Sequence, residues 1–319
     1  MKEMIEKITR PCRRPADFFL LAAAASFLMV LLGQLIGDAS IVKLKIGDAL
    51  TDWSGSDNIG TFLGMYLSTF GVWLAFLLFV IIFRRNRPML KTLKRNRCLN
   101  NWKGILLGLL LGFGTNGFCI LMSVISGDIK LSYNGFDWVL LIAFFICVFI
   151  QSSSEEVVDR IYLYQKLRRR YRSPLVAIIF NSLVFMGMHV FNPGFTMIAG
   201  SQIFLVGIIF SLFVYYYDSV WVAFCFHTAW NFTQNIIFGL PNSGIISEYS
   251  IFRLEAASAT NGLFYNVDFG VEGSIGSSLV LAVVIVVLIL INRGKPEKTD
   301  LWAEAEQAAA AERGKEASA

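Results

Sequence analysis

The sequence predicts an all-α protein: a polytopic membrane helix bundle with about eight transmembrane helices and both termini cytoplasmic. Three observations lead there. Of 319 residues, 55% are apolar and only 16% charged, with a mean hydropathy of +0.60, whereas an ordinary soluble protein carries roughly 25% charged residues. The apolar residues gather into runs of about 18 or more, the length a helix needs to cross a hydrocarbon core about 30 Å thick. The basic residues fall in alternate connections between those runs. Together these exclude a water-soluble globule, because such a chain has more apolar surface than one core hides.

The runs are 16–37, 58–83, 104–126, 138–165, 174–191, 196–217, 219–238 and 274–292. They divide the chain into a cytoplasmic N-terminal segment 1–15, a transmembrane bundle 16–292 and a flexible cytoplasmic tail 293–319. The first run follows basic residues and ends near Gly37-Asp38-Ala39, yet it is longer than the apolar stretch of a typical signal peptide and reads as a retained anchor. Asp17, at its edge, reads as a helix start. The tail, from Leu301 to Arg313, is rich in Ala and Glu and of low complexity.

Orientation follows from Lys and Arg. The segments 1–15, 84–103, 160–172 and 292–319 hold 24 of the 28, and the alternate segments hold 4. The positive-inside rule places the first set, and both termini, in the cytoplasm. An integral, multi-pass protein of a bacterial plasma membrane fits this pattern, with the lipid bilayer as its first partner. Five scattered cysteines without a C-x-x-C suggest neither a disulfide framework nor a thiolate zinc site; Cys12 and Cys98 read as reduced thiols near the inner surface. There is no internal repeat, phosphate-binding glycine loop or nucleic-acid signature, and nothing in the sequence reads on oligomeric state.

Asp17 aside, the charged and imidazole side chains inside the runs are few. The fourth run carries Glu155, Glu156, Asp159 and Arg160, the fifth His189 and the seventh His227, the chain's two histidines. Ionisable groups are costly in lipid, so they face the bundle interior and usually mark a functional site. Glu156 and Arg160 stand i,i+4 in the favourable acid-then-base order. That pairing leaves Glu155 about 100° round the helix and free for chemistry. Asp159, i,i+4 from Glu155, is placed to accept a hydrogen bond or to line a wet rim.

Counting from the connection between the fourth and fifth runs, Glu155 and His189 each lie fifteen residues away, so at 1.5 Å per residue both sit ~22 Å deep. Antiparallel neighbours would bring them together. His227 and Asn231 share one face of the seventh helix. A carboxylate beside an imidazole deprotonates water, the task of a general base in hydrolysis, while His227 and Asn231 offer donors to a developing oxyanion. The same Glu155, His189 and His227 also match the ligand set of a catalytic divalent metal such as zinc, though the H-E-x-x-H motif is absent. A metal-dependent route and a metal-free glutamate route both stay open here.

In order along the chain, Glu155-Glu156-x-x-x-Arg160, Phe185-x-x-x-His189 and His227-x-x-x-Asn231 resemble the three motifs of the CAAX-protease and bacteriocin-processing (Abi-type) intramembrane endopeptidases, across roughly residues 138–238. The resemblance implies that Glu155 activates water with help from His189. It implies that Glu156 and Arg160 orient and charge-balance that group, and that His227 and Asn231 stabilise the oxyanion. Phe185 would pack one turn below His189. The implied substrate is a lipidated, CAAX-like protein or a bacteriocin- or pheromone-type peptide. Two other functions use the same residues: a proton-coupled transporter with Glu155, Asp159 and the histidines as a relay, and a catalytically silent immunity or scaffold protein of the same fold. Ser152-Ser153-Ser154 reads as a small-residue packing surface, Asn192-Pro193-Gly194 as an outer turn, and Trp138, Trp221 and Tyr215 to Tyr217 as interfacial anchors.

Overall fold

The structure is a computed structural model that describes residues 9–10, 14–96, 99–294 and 301–302. Cys12, Cys98 and most of the tail lie outside the described residues. Local polar residues set where the helices begin. Ser56, Asn101, Asp137, Thr196, Ser219 and Ser274 each accept a backbone N–H of the first turn that follows, satisfying donors that a helix start leaves without partners.

In chain order the helices are α1 (Phe19–Lys43), α2 (Ile46–Ser54), α3 (Asp57–Ser68), α4 (Phe70–Ile82), α5 (Trp102–Ile125), α6 (Trp138–Arg170), α7 (Pro174–Met188), α8 (Met197–Tyr217), α9 (Val220–Asn231) and α10 (Ile275–Asn292). Six spans among the described residues are long and apolar enough to cross a membrane: α1, α3 with α4, α5, α6, α8 and α10. The fold is an all-α polytopic bundle. Two of the eight expected spans differ from the rest for physical reasons. Helix α7 has only 15 residues and stops at His189. Helix α9 is central, with every residue but Trp221 buried, so it meets protein and not lipid.

The outer helices bear the lipid signature instead. Leu20, Leu31 and Leu35 of α1 and Leu279, Val283 and Ile291 of α10 are exposed, as helices facing hydrocarbon require. Close packing of α9 depends on α5. Gly104, Gly108 and Gly112 form a stripe against it, and a Cβ on Gly108 would lie 2.5 Å from the Val222 carbonyl oxygen, the small-residue contact by which membrane helices approach.

On the face away from the basic loops, residues 239–273 are folded against the bundle. Strands β1 (Leu131–Tyr133) and β2 (Phe252–Leu254) pair antiparallel, with Leu131 opposite Leu254. On the basic face Asp17 corrects its expected part. It closes a tight 3-10 turn, Pro15–Asp17, and caps no helix; its buried carboxylate meets Lys166 Nζ at 3.0 Å and Arg169 Nε at 2.6 Å, with Arg169 Nη2 also bonded to it. Trp302 of the tail is buried against the Arg169 guanidinium, 4.8 Å from ring centre.

Candidate active site

Helix α6 supplies the acids. It is α-helical to Glu156, π-helical over Val157–Leu163 and α-helical again to Arg170. Helix α9 does the same, turning π-helical over Phe232–Ile237 directly after Asn231. Such wider turns occur often at functional sites, because they re-aim side chains within one helix.

Glu156 and Arg160 pair as the spacing predicts, with Nε 3.1 Å from Oε2 and both side chains fully buried. The Arg160 guanidinium lies between Phe185 and Phe210, 4.6 and 5.1 Å from their ring centres, and donates to the Gly207 carbonyl. Phe185 thus packs against His189, 4.9 Å between ring centres, and against the guanidinium at once. The other oxygen of Glu156 meets His227 Nδ1 at 3.0 Å, so Glu156 orients His227 and not Glu155. Asp159 does not line a wet rim: it is fully buried, 3.9 Å from Arg160 Nη1, and its backbone carbonyl accepts from Asn181.

Glu155 is the more open acid, with 28% of its side chain exposed. Its Oε2 stands 3.8 Å from His189 Nε2 and 3.8 Å from His227 Nε2. That distance is too long for a direct hydrogen bond and short enough for one water to bridge the pair. Each imidazole has its far nitrogen committed. His189 Nδ1 donates to the Phe185 carbonyl at 2.8 Å, which requires the proton there and leaves Nε2 facing the carboxylate. His227 is held likewise by Glu156, its ring stacked on Phe210 at 5.4 Å.

Sequence reasoning found Asn231 but missed the other carboxamides that tie this site together, Gln151 and Asn242. Gln151 donates to Glu155 Oε1. Asn231 spends its amide hydrogens on Gln151 Oε1 at 3.2 Å and Ser152 Oγ at 3.3 Å, so a substrate oxygen would have to displace one of them. Asn231 in turn accepts from Asn242 (3.2 Å), which also donates to Glu272 (3.0 Å). Glu272, buried, takes further bonds from the Trp230 indole and from the Ser243 N–H and hydroxyl. Burial pushes its carboxyl above the ordinary carboxylate range, and the Ser243 N–H and Trp230 indole pull it part of the way back. All three serines bond as well: Ser152 Oγ accepts from Asn231, Ser153 Oγ accepts from Trp73 Nε1 at 3.1 Å, and Ser154 Oγ donates to the Gln151 backbone carbonyl at 2.7 Å. Gln151 was readable, lying i,i+4 before Glu155; Glu272 gave no signal beyond being an acid shortly before the last span.

His189, His227, Asn231, Phe210, Gln202 and Glu272 line a narrow cavity of about 20 Å3, which is room for one water. Glu155 is not in that lining, though the two imidazoles that meet it are. As to a metal, Glu155 with the two Nε2 atoms forms a set of suitable donor types, yet among the described residues no three His, Cys, Asp or Glu side chains are arranged to hold an ion.

No curated protein matches the chain. Residues 136–233 match the family model described as type II CAAX prenyl endopeptidase Rce1-like. That stretch is under half of the chain, but it contains Glu155, Glu156, Arg160, His189, His227 and Asn231. The segment from the start of α6 through Asn231 is accordingly similar to the Rce1-like type II CAAX prenyl endopeptidases.

Proposed function

We propose that the protein is an intramembrane endopeptidase in which Glu155 and His189 activate a water against a peptide carbonyl. The observation that carries this reading is the convergence of two imidazole Nε2 atoms on one carboxylate oxygen, each at 3.8 Å. A water shared between Glu155 and His189 would give up its proton as it attacks. His227, held by Glu156 and through it by Arg160, would act as the imidazolium, with Nδ1–H on Glu156 and Nε2–H donated to the oxyanion together with Asn231. Proton return to the leaving amine would come from the same carboxylate–imidazole pair.

The likeness to the Rce1-like model supports a prenylated, CAAX-like protein as substrate; a bacteriocin- or pheromone-type peptide is the second class, and a bacterial plasma membrane is the setting that the alternation of basic loops fits. Glu155, His189 and His227 are the donors a zinc ion would need, though among the described residues they are not arranged to hold one; the side chains described supply a base and donors of their own. Cleavage that survives a chelator is expected on the glutamate route. Loss that zinc restores would assign the three donors to a metal.

The test of the reading is direct. Glu155→Ala, His189→Ala and His227→Ala are each expected to lower turnover of a farnesylated peptide by about 10²–10⁴-fold, while the protein inserts and stays folded. Normal cleavage by all three variants would sink the assignment.

A further inference from the structure

Gln202 is 1% exposed, and its Nε2 has no hydrogen-bond acceptor among the described residues. A buried donor left unpaired costs stability, and native proteins rarely keep one without a reason. The other side-chain amides around the site are engaged: Asn231 donates both hydrogens, to Gln151 and Ser152, Asn242 both, to Asn231 and Glu272, and Gln151 one, to Glu155. Of these four, Gln202 is the one whose amide nitrogen has no acceptor at all, and it lines the cavity that His189, His227 and Asn231 also line.

Its place on α8 suits contact with a substrate. Gln202, Val206 and Phe210 form an i,i+4,i+8 row that faces the cavity together, and Phe210 stacks on His227. Gln202 lies fifteen residues from Tyr217, or ~22 Å along the helix, and His189 lies fifteen from Pro174 on antiparallel α7. Both therefore stand at one depth.

We propose that Gln202 is a further catalytic residue, whose Nε2 donates a hydrogen bond to the carbonyl oxygen of the scissile peptide bond as negative charge develops there. This rests on the endopeptidase reading and amends it. The resting protein leaves Asn231 without a free hydrogen, so the first neutral donor to meet the oxyanion is Gln202.

The experiment measures kcat, KM and Tm for wild type, Gln202→Met, Gln202→Leu and Glu155→Gln in detergent, with a farnesylated peptide ending in a CAAX sequence and its unprenylated twin. For Gln202→Met the expected result is a fall in kcat of about 10²-fold or more, KM within about threefold of wild type, and a Tm unchanged or raised, because a donor without an acceptor has been replaced by an apolar group of similar shape. Gln202→Leu guards against a packing fault peculiar to Met. Unchanged kcat in both variants, a rise in KM alone, or a fall of several degrees in both Tm values would overturn the proposal and leave the endopeptidase reading standing. If wild type cuts neither peptide, or cuts no faster than Glu155→Gln, the reading itself fails and the proposal with it.

Discussion

Neighbouring carboxylates on α6 are built for different tasks, and two measurements separate them. Glu156 is fully buried between Arg160 and His227. Removing it takes from the buried guanidinium its closest acid and leaves only Asp159 at 3.9 Å and the Gly207 carbonyl, so Glu156→Ala is expected to cost about 3–5 kcal/mol of stability as well as activity. Glu155 is partly exposed and, among the described residues, forms ion pairs only with the two imidazoles, so Glu155→Ala should leave Tm within a degree or two while abolishing cleavage. A chemical-melt midpoint beside a cleavage rate, for both variants, checks the contrast; equal stability losses would refute it. Much at this scale was legible in the sequence. The i,i+4 pairing of Glu156 with Arg160 and the shared depth of Glu155 and His189 follow from helix geometry alone. What counting could not supply was the direction of each side chain. Glu156 faces His227 as well as Arg160, and the π-helical stretch that follows from Val157 leaves the apolar run of the sequence unbroken. The neutral amides Gln151 and Gln202 escaped a search confined to charge.

At the scale of elements, the site depends on two packing devices. The first is the glycine stripe of α5 beneath α9. Gly112→Leu is expected to drive α5 off α9 and cost at least about 1–3 kcal/mol, since its Cβ would meet the Phe226 carbonyl. Gly114→Ala on the same helix, with nothing within 4 Å, should be silent. Thermal melts of the two variants test this directly. The second device is the strap of residues 239–273, tied to Asn231 through Asn242 and Glu272. Glu272→Ala should loosen the strap, raise backbone hydrogen exchange across 239–273 and slow turnover by releasing the orientation of Asn231. Exchange unchanged across that segment would show that Glu272 does not anchor it. No periodicity announces such a strap, because its order comes from polar contacts between distant residues and not from an apolar face.

The whole molecule is held at its basic end by one buried carboxylate shared among two cations. Burial raises the Asp17 carboxyl, and Arg169 and Lys166 outweigh it, leaving it below the ordinary 3.8. A lowered folded value means that the stability it contributes is complete above the unfolded pKa and is lost as pH falls through the lower folded one. Acid melts should therefore show a decline below about pH 4 that Asp17→Asn removes, together with a loss of about 3–5 kcal/mol at neutral pH. A variant that keeps the wild-type acid profile would count against the pairing. The all-α bundle and its apolar spans were plain in composition and run length. The ranking of those spans was not, since hydropathy cannot tell a helix that faces lipid from one that faces other helices.

That ranking matters for how the protein tolerates change. Leucines on the outer faces of α1 and α10 meet fluid hydrocarbon, where Leu, Ile, Val and Phe are nearly interchangeable. Helix α9 meets fixed neighbours on every side. In a saturation library scored by cleavage, α9 should read as an almost unbroken block of intolerant positions, including Ala223 and Ala229, which touch no reacting atom. The outer spans should accept most apolar replacements. The least variable stretch of the protein would then mark its mechanical centre as much as its chemistry.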